Sequence, residues 1–121
     1  MKAIIIYVST YQSNTLKVAQ RMANELSAFL ATTREAENID LSDYDLIGLG
    51  SGINFAQHHC KLLSFAKSHE FRNRNVFIFS TRCRPFLGKY HQALKRILSD
   101  KGGTLIGEFS CKGFDRTGPW V

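Results

Sequence analysis

Ser9-Thr10-Tyr11-Gln12-Ser13-Asn14-Thr15 is the stretch of this sequence best suited to chemistry, with aliphatic hydroxyls at Ser9, Thr10, Ser13 and Thr15, amides at Gln12 and Asn14, and no charged side chain. It leads into a helical pattern from Asn14 onward. A helix N-terminus presents unpaired N–H groups and the positive end of the helix dipole, so it favours anions. With the hydroxyls as further donors, such a loop can hold a phosphate monoester without any Lys or Arg. The same residues also suit simple capping, with Ser13 or Asn14 accepting from first-turn N–H groups. The loop alone leaves both readings open.

Other phosphate, redox and metal patterns fail on spacing. Gly48-Leu49-Gly50-Ser51-Gly52 is G-x-G-x-G and lacks the third glycine of a dinucleotide fingerprint. Gly88-Lys89 is followed by Tyr90, and Cys83 stands where the first glycine of a phosphate-binding P-loop belongs. The sixth residue after Cys83 is Lys89, not the arginine of a C-x5-R phosphatase loop. Gly50 ends the third apolar run, where a phosphorylatable aspartate would have to stand. His58, His59 and Cys60 are consecutive and diverge at helical angles, so they read as polar residues at a helix start rather than as a metal site.

The elements that must position these loops follow from hydropathy. Lys2 to Val8 is a continuous β-branched run, as expected of a strand buried on both faces. Leu16, Ala19, Met22, Ala23, Leu26 and Leu30 then form one helical stripe, predicting a helix over 14–30. A short edge strand is expected within Thr32 to Ala36, and a third strand over Tyr44 to Gly50, followed by the loop SGINFAQHH. A helix from His58 to Ser68 has Leu62, Leu63 and Ala66 inward. Val76 to Ser80 is a fourth strand and ends in TRCRPFLGK. The next helix carries Tyr90, Leu94, Ile97 and Leu98 and is stopped by Gly102-Gly103, and Thr104 to Ser110 is a fifth strand with Glu108 marking an edge. Strands alternating with helices predict one doubly wound α/β domain over residues 1–121. In such folds ligands sit beyond the carboxyl ends of the strands, here residues 9–15, 50–58, 80–89 and 110–115.

Composition narrows the class further. Apolar residues make up 44% of the 121 and charged ones 21%, which excludes disordered and low-complexity chains. The net charge of +6 makes anions and acidic surfaces the expected partners. Three cysteines without C-x-x-C spacing point to a reducing compartment. With no apolar run of membrane-spanning length, a cytoplasmic protein is expected.

STYQSNT followed by LKVAQRMANEL, then YDLIGLGSGINFAQHH, VFIFSTR and GEFSCKGFDRTGP, resembles the flavodoxin family over essentially the whole chain. The family's phosphate loop reads roughly T-x-T-G-x-T. Thr10, Asn14 and Thr15 match it, while Gln12 replaces a hydroxyl and Ser13 replaces a glycine, where a positive φ would cost about 1 kcal/mol. The resemblance implies a five-stranded parallel sheet in the order 2-1-3-4-5 with FMN at its carboxyl edge. Ser9, Thr10, Gln12, Ser13, Asn14 and Thr15 would hold the phosphate. Ser51, Gly52, Ile53, Asn54 and Phe55 would lie along one side of the isoalloxazine, and Thr81, Arg82 and Phe86 along the other. Phe55 and Phe86 are the candidate stacking rings.

On this reading the protein supplies no nucleophile or general acid, and is an electron carrier rather than an enzyme. Two alternatives stand beside it: an NAD(P)H-dependent flavin reductase on the same fold, and a non-redox interaction module without FMN. The basic charge implies an acidic redox partner or a phosphate-bearing reductant, and a bound flavin that is less strongly reducing than in acidic relatives. Nucleic acid is not expected, because the basic residues are dispersed. The family's last helix has no counterpart before Val121, so a homodimer covering the bare sheet face is expected, with Trp120 near the contact.

Overall fold

The apolar run Ala3–Val8 forms β1, an interior strand buried along its whole length in the sheet of the computed structural model, which describes residues 2–8, 14–54, 57–82 and 91–112. The chain continues through α1 (Asn14–Leu26), β2 (Phe29–Thr32), a 3-10 turn at Leu41–Asp43, β3 (Leu46–Asn54) and β4 (Gln57–His58). It is completed by α2 (Cys60–Ser68), β5 (Asn75–Arg82), α3 (Gln92–Asp100) and β6 (Thr104–Lys112). The parallel sheet has the order β2-β1-β3-β5-β6, and β4 pairs antiparallel with the end of β3. This is the five-stranded order 2-1-3-4-5 of the doubly wound fold expected from the sequence. Among the described residues, α1 alone packs on one face and α2 and α3 on the other.

Several expected boundaries move. The first helix ends at Leu26, because Ser27 takes a left-handed backbone (φ 52°) and the Ala28 N–H donates to the Ala23 carbonyl at 2.9 Å. Leu30 therefore belongs to β2, which runs over Phe29–Thr32 rather than within Thr32 to Ala36. The following residues form a capped turn. The Thr32 N–H donates to Glu35 Oε1 (2.8 Å), and the Glu35 N–H donates to Thr32 Oγ1 (3.1 Å). That T-x-x-E reciprocity is a helix-start signature spent on a single turn. At the other end of the domain, β3 continues through Gly52 to Asn54 and hairpins into β4, so the segment read as a loop is largely strand, and the helix starts at Cys60 instead of His58.

The two faces have separate cores. Ile4, Ile6, Ile47, Leu49, Val76 and Ile78 meet Leu62, Leu63, Phe65, Ala66, Leu94 and Leu98 of α2 and α3. On the other face Ile5, Tyr7, Phe77 and Phe79 meet Val18, Ala19 and Ala23 of α1. The glycines of β3 belong to this second face. A Cβ at Gly48 would lie 2.4 Å from Phe77 Cζ, and one at Gly50 would lie 2.1 Å from Phe79 Cζ. Two rings therefore lie flat against bare backbone. The G-x-G-x-G pattern is a packing device at its first two positions.

Beside α1, no helix among the described residues covers the rest of the same face. Met22, Leu26, Leu46, Phe77 and Ile106 line an apolar groove edged by Arg21 and Glu25. No helix among the described residues is long and apolar enough to cross a membrane.

Candidate functional site

The carboxyl ends of β1, β3 and β5 and the start of α1 converge on one rim. Helix α1 begins at Asn14, directly after the hydroxyl-rich loop, and carries no acidic residue in its first turn. Its N–H groups there are left without carbonyl partners inside the helix, as at every helix start. Thr15 is buried, and its Oγ1 lies 2.9 Å from Oγ1 of Thr81 on β5, so this hydroxyl pair pins the helix start to the end of the central sheet.

Gly52 pairs in register with Thr81, one step beyond the Gly50–Phe79 pair and two beyond Gly48–Phe77. At this step the ring is replaced by a small hydroxyl side chain. The atoms that a Cβ at Gly52 would meet are Thr81 Oγ1 at 3.7 Å and the Thr81 carbonyl at 3.9 Å. Among the described residues, the sheet face is thus filled by aromatic rings up to Phe79 and leaves a notch at Gly52, beside the start of α1. A planar ligand with a phosphate tail matches that donor set: N–H groups and hydroxyls for the tail, bare backbone beside the plane.

The sequence-derived residues fall into four groups. Thr15, Gly52 and Thr81 are brought together on the α1 side of the rim. The backbones of Asn14, Ile53, Asn54 and Arg82 lie at the same ends of α1, β3 and β5. Ser51 points to the opposite face, where it is fully buried. Its Oγ donates to the Gly52 carbonyl (2.7 Å) and accepts from the His59 N–H (2.9 Å). Ser51 therefore fixes the direction of the Gly52 carbonyl and ties β3 to the start of α2. Ser9, Thr10, Gln12, Ser13, Phe55 and Phe86 lie outside the described residues, as does Trp120.

Sequence reasoning missed a buried polar layer beneath this rim. His58 and His91 are fully buried, with ring centroids 4.8 Å apart. His58 Nε2–H donates to the Phe79 carbonyl (2.9 Å), and its Nδ1 has no partner among the described residues. His91 Nδ1 lies 2.9 Å from Glu108 Oε1, and its Nε2 lies 2.8 Å from Ser80 Oγ. Ser80 Oγ is in turn 2.8 Å from Ser110 Oγ, and Lys95 Nζ donates to Glu108 Oε2 at 2.9 Å. Burial pulls His58 down to about 4, against the carbonyl bond that favours its charged form. Burial also holds His91 below the ordinary histidine value, opposed by Glu108. For Glu108 partial burial acts upward, but the hydrogen bonds from Lys95 and His91 outweigh it and its carboxyl ends lower than usual.

His59, by contrast, is an ordinary cap, with Nδ1 accepting from the Lys61 N–H at 3.0 Å. No group of three or more His, Cys, Asp or Glu among the described residues is arranged to hold a metal ion.

Comparison with known proteins agrees with this fold. The family model described as a flavodoxin domain matches residues 4–101. An uncharacterized protein of Methanocaldococcus jannaschii is 40% identical over 119 residues, covering 98% of this chain and 79% of that protein. Among solved structures, oxidised Flavodoxin 2 from Bacillus cereus superposes with a TM-score of 0.71 at 19% identity, covering 96% of this chain and 88% of that one. A flavoprotein in complex with FMN from Lactobacillus acidophilus gives 0.69 at 20% identity, covering 90% and 92%.

Proposed function

Because this chain belongs to the flavodoxin family, we propose that it binds FMN at the rim formed by α1, β3 and β5 and serves as an electron carrier. The observation that carries this reading is the ring-free step at Gly52, set beside the Thr15–Thr81 hydroxyl pair at the start of α1. Thr15 and the first-turn N–H groups of α1 would hold the phosphate, with Ser9, Thr10, Gln12 and Ser13 of the preceding loop. The backbone from Gly52 to Asn54 and Thr81 would flank the ring system. FMN, when bound, supplies the capacity to take up and release electrons, and the chain binds, orients and partly shields it.

Titration of FMN into the protein tests this directly. Saturable quenching of flavin fluorescence at one equivalent is expected. Thr81→Val, which removes the hydroxyl partner of Thr15, should weaken binding by about tenfold, the loss expected for one buried hydrogen bond of about 1.4 kcal/mol. No binding at micromolar FMN would leave the non-redox interaction module as the better reading. Flavin reduction by NAD(P)H without any partner protein would favour a reductase over a carrier.

With sixteen basic against ten acidic side chains, the redox partner on this reading presents an acidic surface or a phosphate group.

We also propose that a second copy of the chain covers the apolar groove beside α1. The groove is edged by Arg21 and Glu25, one helical turn apart. A two-fold arrangement sets Arg21 of one copy against Glu25 of the other, the self-complementarity that an isologous interface requires. Sedimentation at micromolar concentration should find a dimer that Ile106→Asp converts to monomer. A wild-type monomer would rule the interface out.

A further inference from the structure

Ser80, His91 and Glu108 stand in the geometry of a nucleophile, a base and the acid that orients it, at 2.8 and 2.9 Å. Nucleophilic attack is excluded by position. Ser80 is fully buried in the central strand β5, on the side covered by α2 and α3, and no substrate reaches its hydroxyl. The arrangement suits a proton instead.

The hydrogen bonds close in both protonation states without movement of any heavy atom. With His91 neutral, its Nδ1–H donates to Glu108 and the Ser80 hydroxyl donates to Nε2. With His91 protonated, Nε2–H donates to Ser80 Oγ, and the Ser80 hydroxyl turns to donate to Ser110. The added charge faces Glu108, which favours it, while Lys95, held on the second Glu108 oxygen, opposes it; the Glu108 side chain, at 29% exposure, connects the layer to solvent. Among the described residues, His58 also packs on His91; it donates its Nε2–H to the Phe79 carbonyl and is neutral above pH 4, so it adds no competing charge near pH 7.

The layer also adjoins the rim. Ser80 immediately precedes Thr81, and Ser51, in register with Ser80, fixes the carbonyl of Gly52. We propose that Ser80, His91, Glu108 and Ser110 form a proton-storage site, in which one proton enters at His91 Nε2 as the Ser80 hydroxyl turns toward Ser110, and that this uptake is coupled to binding of a negatively charged ligand at the rim. The identity of that ligand as FMN rests on the functional reading above, whereas the proton site itself does not. A negative charge brought to the rim stabilises His91 in its charged form, so ligand binding draws a proton into the layer, and by linkage a proton in the layer tightens binding.

The test has two arms. In the ligand-free protein, NMR titration of the His91 ring reads the proton site alone. Glu108→Gln removes the balancing charge, and proton affinity at His91 should fall at least about tenfold. Ser110→Ala leaves the turned Ser80 hydroxyl without an acceptor in the protonated state only, and affinity should fall several-fold. A Ser110→Ala protein that titrates like wild type overturns the hydroxyl turn. In the second arm, FMN binding is measured by calorimetry near pH 7 in two buffers of different ionisation enthalpy. Net proton uptake by wild type and its loss in His91→Gln are expected, and binding without uptake overturns the coupling. Failure of FMN to bind overturns the functional reading and, with it, the identity of the ligand, while the first arm still decides the proton site.

Discussion

Replacing Gly50 by alanine is expected to destabilise this protein by about 3 kcal/mol, the upper end of the usual cost of overpacking. The new Cβ would lie 2.1 Å from Cζ, 2.2 Å from Cε2 and 2.4 Å from Cε1 of Phe79. Phe79 has no room to yield. It is fully buried beneath α1, whose inward side chains Val18, Ala19 and Ala23 already bring the helix close to the sheet. The cause can be isolated by a double-mutant cycle. Phe79→Ala alone should cost about 3–5 kcal/mol through the cavity it leaves. In that background Gly50→Ala should become nearly neutral, giving a coupling of about 2 kcal/mol or more by urea unfolding. An equal cost of Gly50→Ala in both backgrounds would mean that the ring is not what the glycine accommodates. Gly52→Ala should be much milder for stability, because among the described residues the nearest neighbour of the new Cβ is Thr81 Oγ1 at 3.7 Å.

Lowering the pH from 6.5 to 4 is expected to remove about 3 kcal/mol of stability through His58 alone. Folded His58 holds a proton only below about 4, whereas the unfolded side chain titrates near 6.5. Above pH 6.5 the group is neutral in both states and stability is full. Between 6.5 and 4 the unfolded chain binds the proton and the folded one does not, so stability falls throughout that window at about 1.4 kcal/mol per pH unit. Below 4 both states are protonated and this contribution stops changing. His91, also held below its ordinary value, adds a loss of the same sign. Glu108, held lower than usual by Lys95 and His91, adds its loss only at more acid pH. His58→Gln keeps an N–H for the Phe79 carbonyl but takes no proton. Denaturant midpoints recorded across the window should therefore be markedly flatter for this variant, whatever it costs at pH 7, and a profile as steep as wild type would locate the acid sensitivity elsewhere.

Much of the scaffold was legible because its signals are local. The β-branched run at Ala3–Val8 has the composition of a central strand, and Leu62, Leu63, Ala66, Leu94 and Leu98 are all buried where helical periodicity put them. The misplacements are local too. Leu26 and Leu30 continue a helical stripe in sequence, yet a single left-handed residue, Ser27, ends the helix between them. Thr32 and Glu35 carry a capping-box spacing that sequence reading passed over in favour of a strand. Of the candidate site, the hydroxyl-rich loop before α1 was readable from residue type and place, whereas Gly52 and Thr81 were singled out only by the resemblance to a known family. Their union depends on β3 and β5 being neighbours, which follows from strand order and not from either segment.

By itself, the sequence determined the alternation of strands and helices, the buried face of each helix, and a rim rich in hydroxyls and glycine, because each of these is written in the period and type of neighbouring residues. Tertiary structure alone decided which glycines pack against rings and which one stays open. It also decided the buried polar layer. An irregularity in β6 sets Val76 against Leu105 but Phe77 against Gly107, leaving Ile106 as the extra residue. Side chains alternate faces along a strand, so a one-residue shift exchanges the two faces of everything beyond it. Without that bulge Ser80 would stand beside residue 109. With it, Ser110 falls in register with Ser80, and Glu108 turns toward His91.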